Sequence, residues 1–268
     1  MLDLSPRVSS DDDGHGRQQL AAPLRMVMSV ATLTRSERIL GLIPAKGGSI
    51  RLPRKNVLPL GGRPLIAWTI DAARASGVVD RLVVSTEDPE VADVARAYGA
   101  EPLRRPDHLA RDPAGVVDVA LHALDALEAE GDRFDTIVIL LPTCPFRTPE
   151  DIRAAHRLHR DRPDAFIMSV SPFSHPPFAA FGLDEVGLLK PHFPEYIGRK
   201  SQEMPAAYRP NGAVHVLGAA RFRQLRSYFA PPLVPYVMPV ERSIDIDSAA
   251  DMREAELRLK MEGGPAWQ

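Results

Sequence analysis

The stretch "ILGLIPAKGGSIRLPRKN", residues 39–56, decides the fold of this chain. Its apolar start is typical of a buried strand, and the strand runs into a loop with paired glycines, Gly47 and Gly48. The loop also carries four cations, which are Lys46, Arg51, Arg54 and Lys55. Because glycines let backbone amides approach an anion closely, the pattern predicts phosphate binding beyond the end of the first strand.

The sequence of this loop also narrows the kind of phosphate site. It contains neither the Gly-Lys-Ser/Thr of a Walker A loop nor the Gly-x-Gly-x-x-Gly of a dinucleotide site. Pro53 keeps the segment extended, so the cations are spread along a polyanion, which favours a triphosphate over a single phosphate. The alternative is a solvated basic loop that binds no ligand.

Strand and helix patterns alternate in the sequence that follows the loop. The strand candidates are "RLVVST", "DTIVILLP" and "AFIMSV", and the helix candidates include "RPLIAWTIDAARASG" and "DPEVADVARAYG". Thr148 and Asp151 have the spacing of a capping box at the start of a further helix. This alternation predicts an α/β fold, with a mostly parallel sheet and helices on both faces.

The extent of the strand and helix alternation divides the chain into segments. Residues 1–36 are expected to be a disordered N-terminal extension and residues 263–268 a tail, with one domain over residues 37–262. Residues 171–210 are rich in Pro, Phe and His and carry few helix signals, so they are predicted to form an inserted arm.

Composition limits the classes of function. The 268 residues carry a formal net charge of -2, which argues against nucleic acid as a partner and makes the cationic loop a local feature. No apolar run reaches the ~20 residues that span a bilayer. Residues 20–33 faintly resemble the apolar region of a signal peptide, but Arg25 interrupts them, so they are interpreted as part of the N-terminal extension. With Cys144 as its single cysteine, the chain is expected to be cytoplasmic, without a membrane partner.

A pair of carboxylates lies near the other end of the chain, in "SIDIDSAAD", residues 243–251. Asp245 and Asp247 are two positions apart in a stretch predicted to be extended, so their side chains point to one face. Two carboxylates held together favour a cation, and Mg²⁺ prefers one or two carboxylates plus phosphate oxygens. The alternative is a helix cap, with Ser248 or Asp247 as the capping residue.

Six motifs occur in order along the chain, namely "IPAKGGSIRLPRKN", "VVSTEDPEVADVARAYGAE", "RRPDHLARD", "LLPTCPFRTPEDI", "SQEMPAAYRPNGAVHV" and "SIDIDSAADM". Together they resemble the acylneuraminate cytidylyltransferases, or CMP-sialic acid synthetases. The resemblance implies a Rossmann-like nucleotidyltransferase fold with an inserted dimerisation arm, in a homodimer. It also implies Mg²⁺-dependent transfer of CMP from CTP to a nine-carbon sugar acid, with release of pyrophosphate.

The resemblance also implies roles for individual residues. The CTP site would comprise Ala45, Lys46, Ser49, Arg51, Lys55, Asn56, Arg105 and Asn211, and the sugar site Leu141, Lys200, Gln202 and Tyr208. The catalytic residues would be Lys46, Lys55, Asp245 and Asp247, the two aspartates also holding the metal. The alternatives are packing at the base of the arm for Tyr208 and a plain turn for Asn211.

Four positions depart from the family pattern. Lys46 stands where the family has arginine, Ile50 where it has lysine, Val116 where it has serine, and Leu141 where many sialic acid enzymes have glutamine. Leu141 leaves the identity of the sugar acid open, and "SIRLP" resembles the Kdo cytidylyltransferases. The alternatives are therefore a Kdo-type or other sugar nucleotidyltransferase, or a nucleotide-binding protein without turnover.

Overall fold

A seven-stranded mixed sheet is the centre of the structure, a computed structural model that describes residues 36–262. The tail predicted over residues 263–268, and the predicted N-terminal extension apart from Ser36, lie outside the described residues. The strands are β1 (Ile39–Pro44), β2 (Pro59–Leu60), β3 (Arg63–Pro64), β4 (Arg81–Thr86), β5 (Glu101–Arg104), β6 (Thr136–Ile139), β7 (Phe166–Pro172), β8 (Phe181–Leu183), β9 (Leu189–Pro191), β10 (Tyr208–Gly218) and β11 (Leu233–Val237). The helices are α1 (Leu65–Ser76), α2 (Pro89–Ala97), α3 (Val116–Ala129), α4 (Pro149–Asp161), α5 (Ala219–Leu225) and α6 (Ala249–Glu262).

The order of strands in the large sheet is β11-β7-β10-β6-β1-β4-β5. β1 pairs in parallel with β4 and β6, and the β4–β5 and β7–β11 pairs are also parallel. β10 alone is antiparallel to both of its neighbours in this sheet, β6 and β7. The prediction of a mostly parallel sheet is therefore confirmed.

Two apolar layers cover the sheet, one on each face. In β1, Ile39 and Ile43 pack in the layer formed with α1, α2 and α4, whereas Leu40 and Leu42 pack in the layer formed with α3 and α5. This follows from the strand geometry, in which successive side chains point to opposite faces. Both faces are covered by helices, as predicted, so β1 and its loop are fixed from two sides.

The helix ends follow the capping residues that the sequence offers. Gly77 ends α1 in the left-handed conformation, and Asp88 caps α2 by accepting from the amides of Glu90 and Val91. Thr148 and Asp151 form the predicted capping box of α4. These caps place the turns that precede α2 and α4 at the carboxyl edge of the sheet.

The arm is shorter than predicted at both of its ends. β7 continues to Pro172 and β10 begins at Tyr208, and Tyr208 and Arg209 pair with Pro172 and Ser171. The excursion therefore covers residues 173–207 rather than 171–210, because ladder hydrogen bonds extend the two strands at its base. It contains the hairpin β8–β9 and three short 3-10 turns.

No helix within residues 36–262 has both the length and the apolar character that crossing a bilayer requires.

Candidate active site

A cleft of about 360 Å³ opens where the carboxyl ends of β1, β5 and β6 meet. The segment before α6 closes its other side. The lining residues are Pro44, Lys46, Ser49, Lys55, Asn56, Arg105, Leu109, Ala110, Ala114, Gly115, Val116, Val119, Leu141, Pro142, Thr143, Asp245 and Asp247. Eight residues predicted to bind substrate or metal are among them, namely Lys46, Ser49, Lys55, Asn56, Arg105, Leu141, Asp245 and Asp247.

The glycine-rich loop is held against the turn that follows β4. The amide of Gly47 donates a hydrogen bond of 2.7 Å to Oε1 of Glu87. A Cβ atom on Gly47 would overlap the carboxylate of Asp88, so only glycine fits at this position. Asn56 is buried and donates from Nδ2 to the carbonyl of Lys46 at 2.8 Å. The amide of Gly47, predicted to approach a ligand anion, thus meets a carboxylate of the protein itself.

The cations of the loop divide into paired and unpaired groups. Lys55 Nζ and Arg51 Nη2 contact the two carboxylate oxygens of Asp247, at 2.8 Å and 2.6 Å. Arg54 pairs with Glu90, outside the cleft. Among the described residues, Lys46 has no carboxylate within ion-pair distance. Lys46 and Lys55 therefore present positive charge to the cleft, and of these two lysines only Lys55 is paired with Asp247.

Asp245 and Asp247 are positioned by the side chains between and beside them. Ile244 and Ile246 are buried in a third apolar cluster with α1 and α6, which leaves the alternating aspartates on the cleft side. The amide of Ile246 donates to the carbonyl of Thr143 at 2.8 Å. Residues 243–247 do not belong to a strand. The same-face geometry predicted for the aspartates arises instead from the burial of the two isoleucines.

Of the two residues considered as the cap of α6, Ser248 is the one whose side chain caps the helix. Its hydroxyl accepts from the amide of Asp251, whose carboxylate accepts from the amides of Asp247 and Ser248. The side chain of Asp247 takes no part in the cap. Both carboxylates of the predicted metal pair are thus left for cations.

Burial raises the pKa of Asp245, and the nearby negative charge of Asp247 raises it further. The hydroxyl of Thr143 and the charge of Lys55 act in the opposite direction. The cleft therefore holds a carboxylate whose ionised form is disfavoured without an additional positive charge.

Arg105 is buried at the apolar end of the cleft, with 3% of its surface exposed. Its Nη2 donates to the carbonyl of Ser85 at 2.7 Å, and its Nε lies 3.2 Å from Oε2 of Glu87. Burial lowers its pKa and the charge of Glu87 opposes that shift. The apolar wall beside it consists of Leu109, Ala110, Ala114, Val116 and Val119. One planar cation beside an apolar wall is suited to a flat heterocycle.

Some residues predicted to bind the nucleotide do not line the cleft. Ala45 is fully buried, and its amide donates to the carbonyl of Ser85. Arg51 is exposed and reaches the cleft only through Asp247. Asn211 is buried, with its amide group bonded to Ser169 and Ser243. Its expected contact with CTP is not available in this arrangement, because both ends of the side chain already have partners.

The plain turn considered for Asn211 is also absent. Asn211 and Gly212 lie within β10, where the register shifts between Pro210 and His215. Gly212 has a φ of 70°, and a Cβ there would press on Leu141. The irregular strand therefore carries Leu141 at the edge of the cleft and leaves no room for a side chain beneath it.

Three residues predicted to contact the sugar are not part of the cleft lining. Lys200 and Gln202 lie in the arm and are exposed, and Tyr208 at its base is 50% exposed. None of them lines the cleft of the chain that carries it. Because half of Tyr208 is exposed, the alternative of packing at the base of the arm accounts for only part of its surface.

Several residues that shape the cleft were not predicted from the sequence. Arg147 is wholly buried and donates to the carbonyls of Ala213 and Leu141, linking β10 to the loop after β6. Burial lowers its pKa to about 10. Glu87 joins the glycine-rich loop to Arg105. A usable signal for Glu87 exists, since it follows β4 just as Lys46 follows β1, at the same edge of the sheet.

Cys144 is a packing residue below the cleft loop. It is buried, and its thiol donates to the carbonyl of Asn211 at 2.7 Å. Burial raises its pKa to about 12, which keeps it protonated and unreactive. His159 on α4 is also a structural residue, because its ring is buried between Thr136 and the carbonyl of Ala165.

Comparison with known proteins gives a matching family model and several relatives. The model described as Cytidylyltransferase matches residues 40–176. The CMP-N,N'-diacetyllegionaminic acid synthase of Legionella pneumophila is 37% identical over 227 residues, covering 84% of this chain and 97% of the relative. The pseudaminic acid cytidylyltransferase of Campylobacter jejuni is 30% identical over 221 residues, covering 82% of this chain and 95% of the relative. The N-acylneuraminate cytidylyltransferase of Escherichia coli is 30% identical over 219 residues, covering 81% of this chain but 51% of the relative.

A solved structure shares the fold. CMP:2-keto-3-deoxy-manno-octonic acid synthetase complexed with CTP has a TM-score of 0.63 and 18% sequence identity, covering 84% of this chain and 100% of that chain. At this identity the similarity concerns the arrangement of strands and helices only.

Proposed function

This chain belongs to the cytidylyltransferase family and is an enzyme of that type, and we propose that it transfers CMP from CTP to a nonulosonic acid. One observation carries the proposal. One cleft is lined by Lys46 and Lys55, by a buried arginine beside an apolar wall, and by two carboxylates. These groups match the triphosphate, the base and the metal of a CTP complex.

The orientation of CTP follows from the charges in the cleft. The triphosphate lies toward Lys46, Ser49 and Lys55, where positive charge and a hydroxyl are available. The base lies toward Arg105 and the apolar wall that begins at Val116. This assignment places the α-phosphate between the cations of the glycine-rich loop and the carboxylates of the aspartate pair.

The transfer itself is a displacement at phosphorus. The anomeric hydroxyl oxygen of the sugar acid bonds to the α-phosphorus of CTP, and the bond from that phosphorus to the bridging oxygen of pyrophosphate breaks. The hydroxyl proton is released and pyrophosphate leaves with the bonding electrons. Such transfers depend on positioning and charge stabilisation, which Lys46 and Lys55 supply. No protein nucleophile is required, and the protonated thiol of Cys144 is unsuited to that role.

The residues of the cleft fit a divalent cation, and we propose Mg²⁺. Asp245 and Asp247 are close enough for one charge to raise the pKa of the other group. A bound cation would relieve that repulsion. The described residues contain no cluster of three or more His, Cys, Asp or Glu side chains suited to a metal. Two carboxylates with phosphate oxygens as the remaining ligands are typical of Mg²⁺, which would offset the charge of the triphosphate.

We propose that the enzyme is a homodimer in which the arm of one subunit completes the sugar site of the other. The arm exposes large apolar side chains, including Phe181, Leu183 and Leu189. Lys200 and Gln202 on the same arm do not line the cleft of their own chain. A second subunit would cover the apolar surface and give both residues a cleft to reach.

The sugar acid is the part of the proposal that Leu141 affects most. A leucine lines the cleft where many sialic acid enzymes have a glutamine, so a hydroxyl of the sugar would find no hydrogen-bond partner there. We therefore propose a nonulosonic acid as the substrate, either a legionaminic-type acid or N-acetylneuraminic acid.

We also propose that residues 37–262 form the catalytic domain, and that the enzyme is cytoplasmic, where its lone thiol stays reduced.

The testing experiment measures pyrophosphate release with CTP and Mg²⁺ and a panel of sugar acids. The panel contains legionaminic, pseudaminic, N-acetylneuraminic and Kdo acids. Release with a nonulosonic acid supports the proposal and identifies the substrate. Release with Kdo alone would assign the chain to the Kdo-type alternative, for which Arg51 in "SIRLP" is the supporting feature. Binding of CTP without release from any acid would support a nucleotide-binding protein without turnover.

A further inference from the structure

Glu87 lies outside the cleft, yet it contacts two elements that form it. It follows β4 directly and precedes Asp88, the cap of α2. Its side chain is only 19% exposed. No role in the proposed reaction follows from its position alone, since it does not line the cleft.

One carboxylate oxygen of Glu87 holds the glycine-rich loop. Oε1 accepts from the amide of Gly47 at 2.7 Å. The loop lies so close to this turn that a side-chain atom on Gly47 would overlap Asp88. Lys46 and Ser49 flank Gly47, so this hydrogen bond fixes the backbone that carries two groups of the phosphate side.

The other carboxylate oxygen of Glu87 neutralises Arg105. Oε2 lies 3.2 Å from Nε of Arg105, and no other carboxylate among residues 36–262 lies within ion-pair distance of that guanidinium. Arg105 is almost fully buried, so leaving its charge without a partner is costly. Its Nη2 and its amide are held by the carbonyls of Ser85 and Thr86 in β4. The guanidinium therefore has one defined orientation beside the apolar wall of the cleft.

We propose that Glu87 is a positioning residue for CTP, which fixes the phosphate loop and the base-side arginine relative to one another through a single carboxylate. This inference rests on the proposed function, because it concerns the CTP site. It assigns Glu87 to the nucleotide and not to the sugar acid. The two oxygens have separable tasks, since one accepts from a backbone amide and the other faces a charge.

The separable tasks define the variants. Glu87→Gln keeps the size of the side chain and an oxygen for the amide of Gly47, but removes the charge opposite Arg105. Glu87→Ala removes both contacts. Glu101→Gln is the matched control, because Glu101 pairs with Arg81 at the edge of the same sheet, away from the cleft.

Calorimetric titration of the full chain with CTP and Mg²⁺ measures the effect without requiring turnover. We expect Glu87→Ala to weaken CTP binding about tenfold and Glu87→Gln about threefold, as loss of charge-assisted contacts implies. The KM of the Glu87 variants for the sugar acid should match that of the parent protein. The control variant Glu101→Gln should bind CTP with the affinity of the parent. In a double-mutant cycle, Glu87→Gln should add little to the loss caused by Arg105→Ala.

Three outcomes would overturn the inference. They are CTP binding by both Glu87 variants at the parent affinity, full additivity with Arg105→Ala, and equal increases in KM for both substrates alongside a lowered melting temperature. If Glu87→Ala does not fold, the isosteric Glu87→Gln variant decides by itself. A parent protein that fails to bind CTP would overturn this inference and the proposed function together, whereas normal binding by the Glu87 variants would overturn this inference alone.

Discussion

Nζ of Lys55 lies 2.8 Å from Oδ1 of Asp247, although 192 positions of sequence separate the two residues. Arg51 occupies the second oxygen of the same carboxylate. Lys55, which we propose to bind the triphosphate, and Arg51, which the sequence predicts at the CTP site, are thus both held by the aspartate proposed to bind the metal. We expect binding of the metal nucleotide to exchange these partners, with the cations moving to phosphate oxygens and Asp247 to the metal.

The exchange predicts that CTP and Mg²⁺ bind cooperatively. Either ligand alone must break the ion pairs of Asp247, whereas both together replace them. Calorimetry should show that chelation of Mg²⁺ weakens CTP binding by about tenfold or more, which corresponds to a coupling free energy of roughly 1–3 kcal/mol. Equal CTP affinity with Mg²⁺ and with a chelator would contradict the exchange.

Replacing Lys55 tests the phosphate side of the cleft. Lys55→Ala removes a charge that is 11% exposed and should weaken CTP binding by more than ~1 kcal/mol. The measurement is a calorimetric titration with CTP at constant Mg²⁺. Lys260→Ala, at an exposed position of α6, is the control and should bind CTP as the parent does.

Replacing Asp245 tests the metal pair. Asp245→Ala should lower kcat by at least about 100-fold with little change in the far-ultraviolet circular dichroism spectrum, since the metal supplies several kcal/mol of charge stabilisation. Asp93→Asn, on the exposed side of α2, serves as the control. Parent-level turnover by the Asp245 variant would end its assignment as a metal ligand.

The raised pKa of Asp245 predicts how stability depends on pH. A carboxyl group whose pKa is higher in the folded than in the unfolded state favours folding below its unfolded value of 3.8. That contribution is lost as the pH rises through the folded value. Asp245→Asn should therefore raise the melting temperature of the metal-free protein at pH 7, by about 2–4 °C, and the gain should shrink as the pH falls toward 4.

The partner carboxylate should behave in the opposite way. Asp247→Asn removes the ion pairs with Lys55 and Arg51, so it should not stabilise the metal-free protein at any pH. Thermal melting of both variants from pH 4 to pH 8 provides the comparison. A gain that is independent of pH for Asp245→Asn would show that desolvation of its charge is not the cause.

The proposed dimer predicts complementation between two defective variants. Lys200→Ala would damage the arm and leave the cleft intact, whereas Lys55→Ala would damage the cleft and leave the arm intact. Refolding equal amounts together should restore about one quarter of parent activity, because half of the dimers would carry one complete site. Activity no higher than the sum of the separate variants would place each arm over its own cleft.

The parts of the site that sequence predicts best are those specified by local patterns. The strand before Lys46, the capping box at Thr148 and the alternation around Asp245 each involve only a few neighbouring positions. Their periodicity and capping chemistry are sufficient to define the local conformation. The strand at Phe166 and the helix that Asp88 caps were predicted for the same reason.

The parts that sequence did not predict depend on pairings between distant segments. β10 inserts antiparallel between β6 and β7, which buries Asn211 against Ser169 and withdraws its amide from the cleft. Glu87 links two loops that come from different strands. No pattern within one segment encodes such contacts, because they depend on which strand edges meet. The base of the arm was misplaced for the same reason, since pairing with Tyr208 extends β7.

Assembly of one cleft from both ends of the domain has a consequence during translation. The glycine-rich loop leaves the ribosome long before Asp247, which follows Lys55 by 192 residues. At roughly 5–20 residues per second, that interval lasts about 10–40 s. During this interval, Arg51 and Lys55 of the nascent chain lack the carboxylate that pairs with them. The cleft can therefore bind nucleotide only after the polypeptide has been synthesised nearly as far as α6.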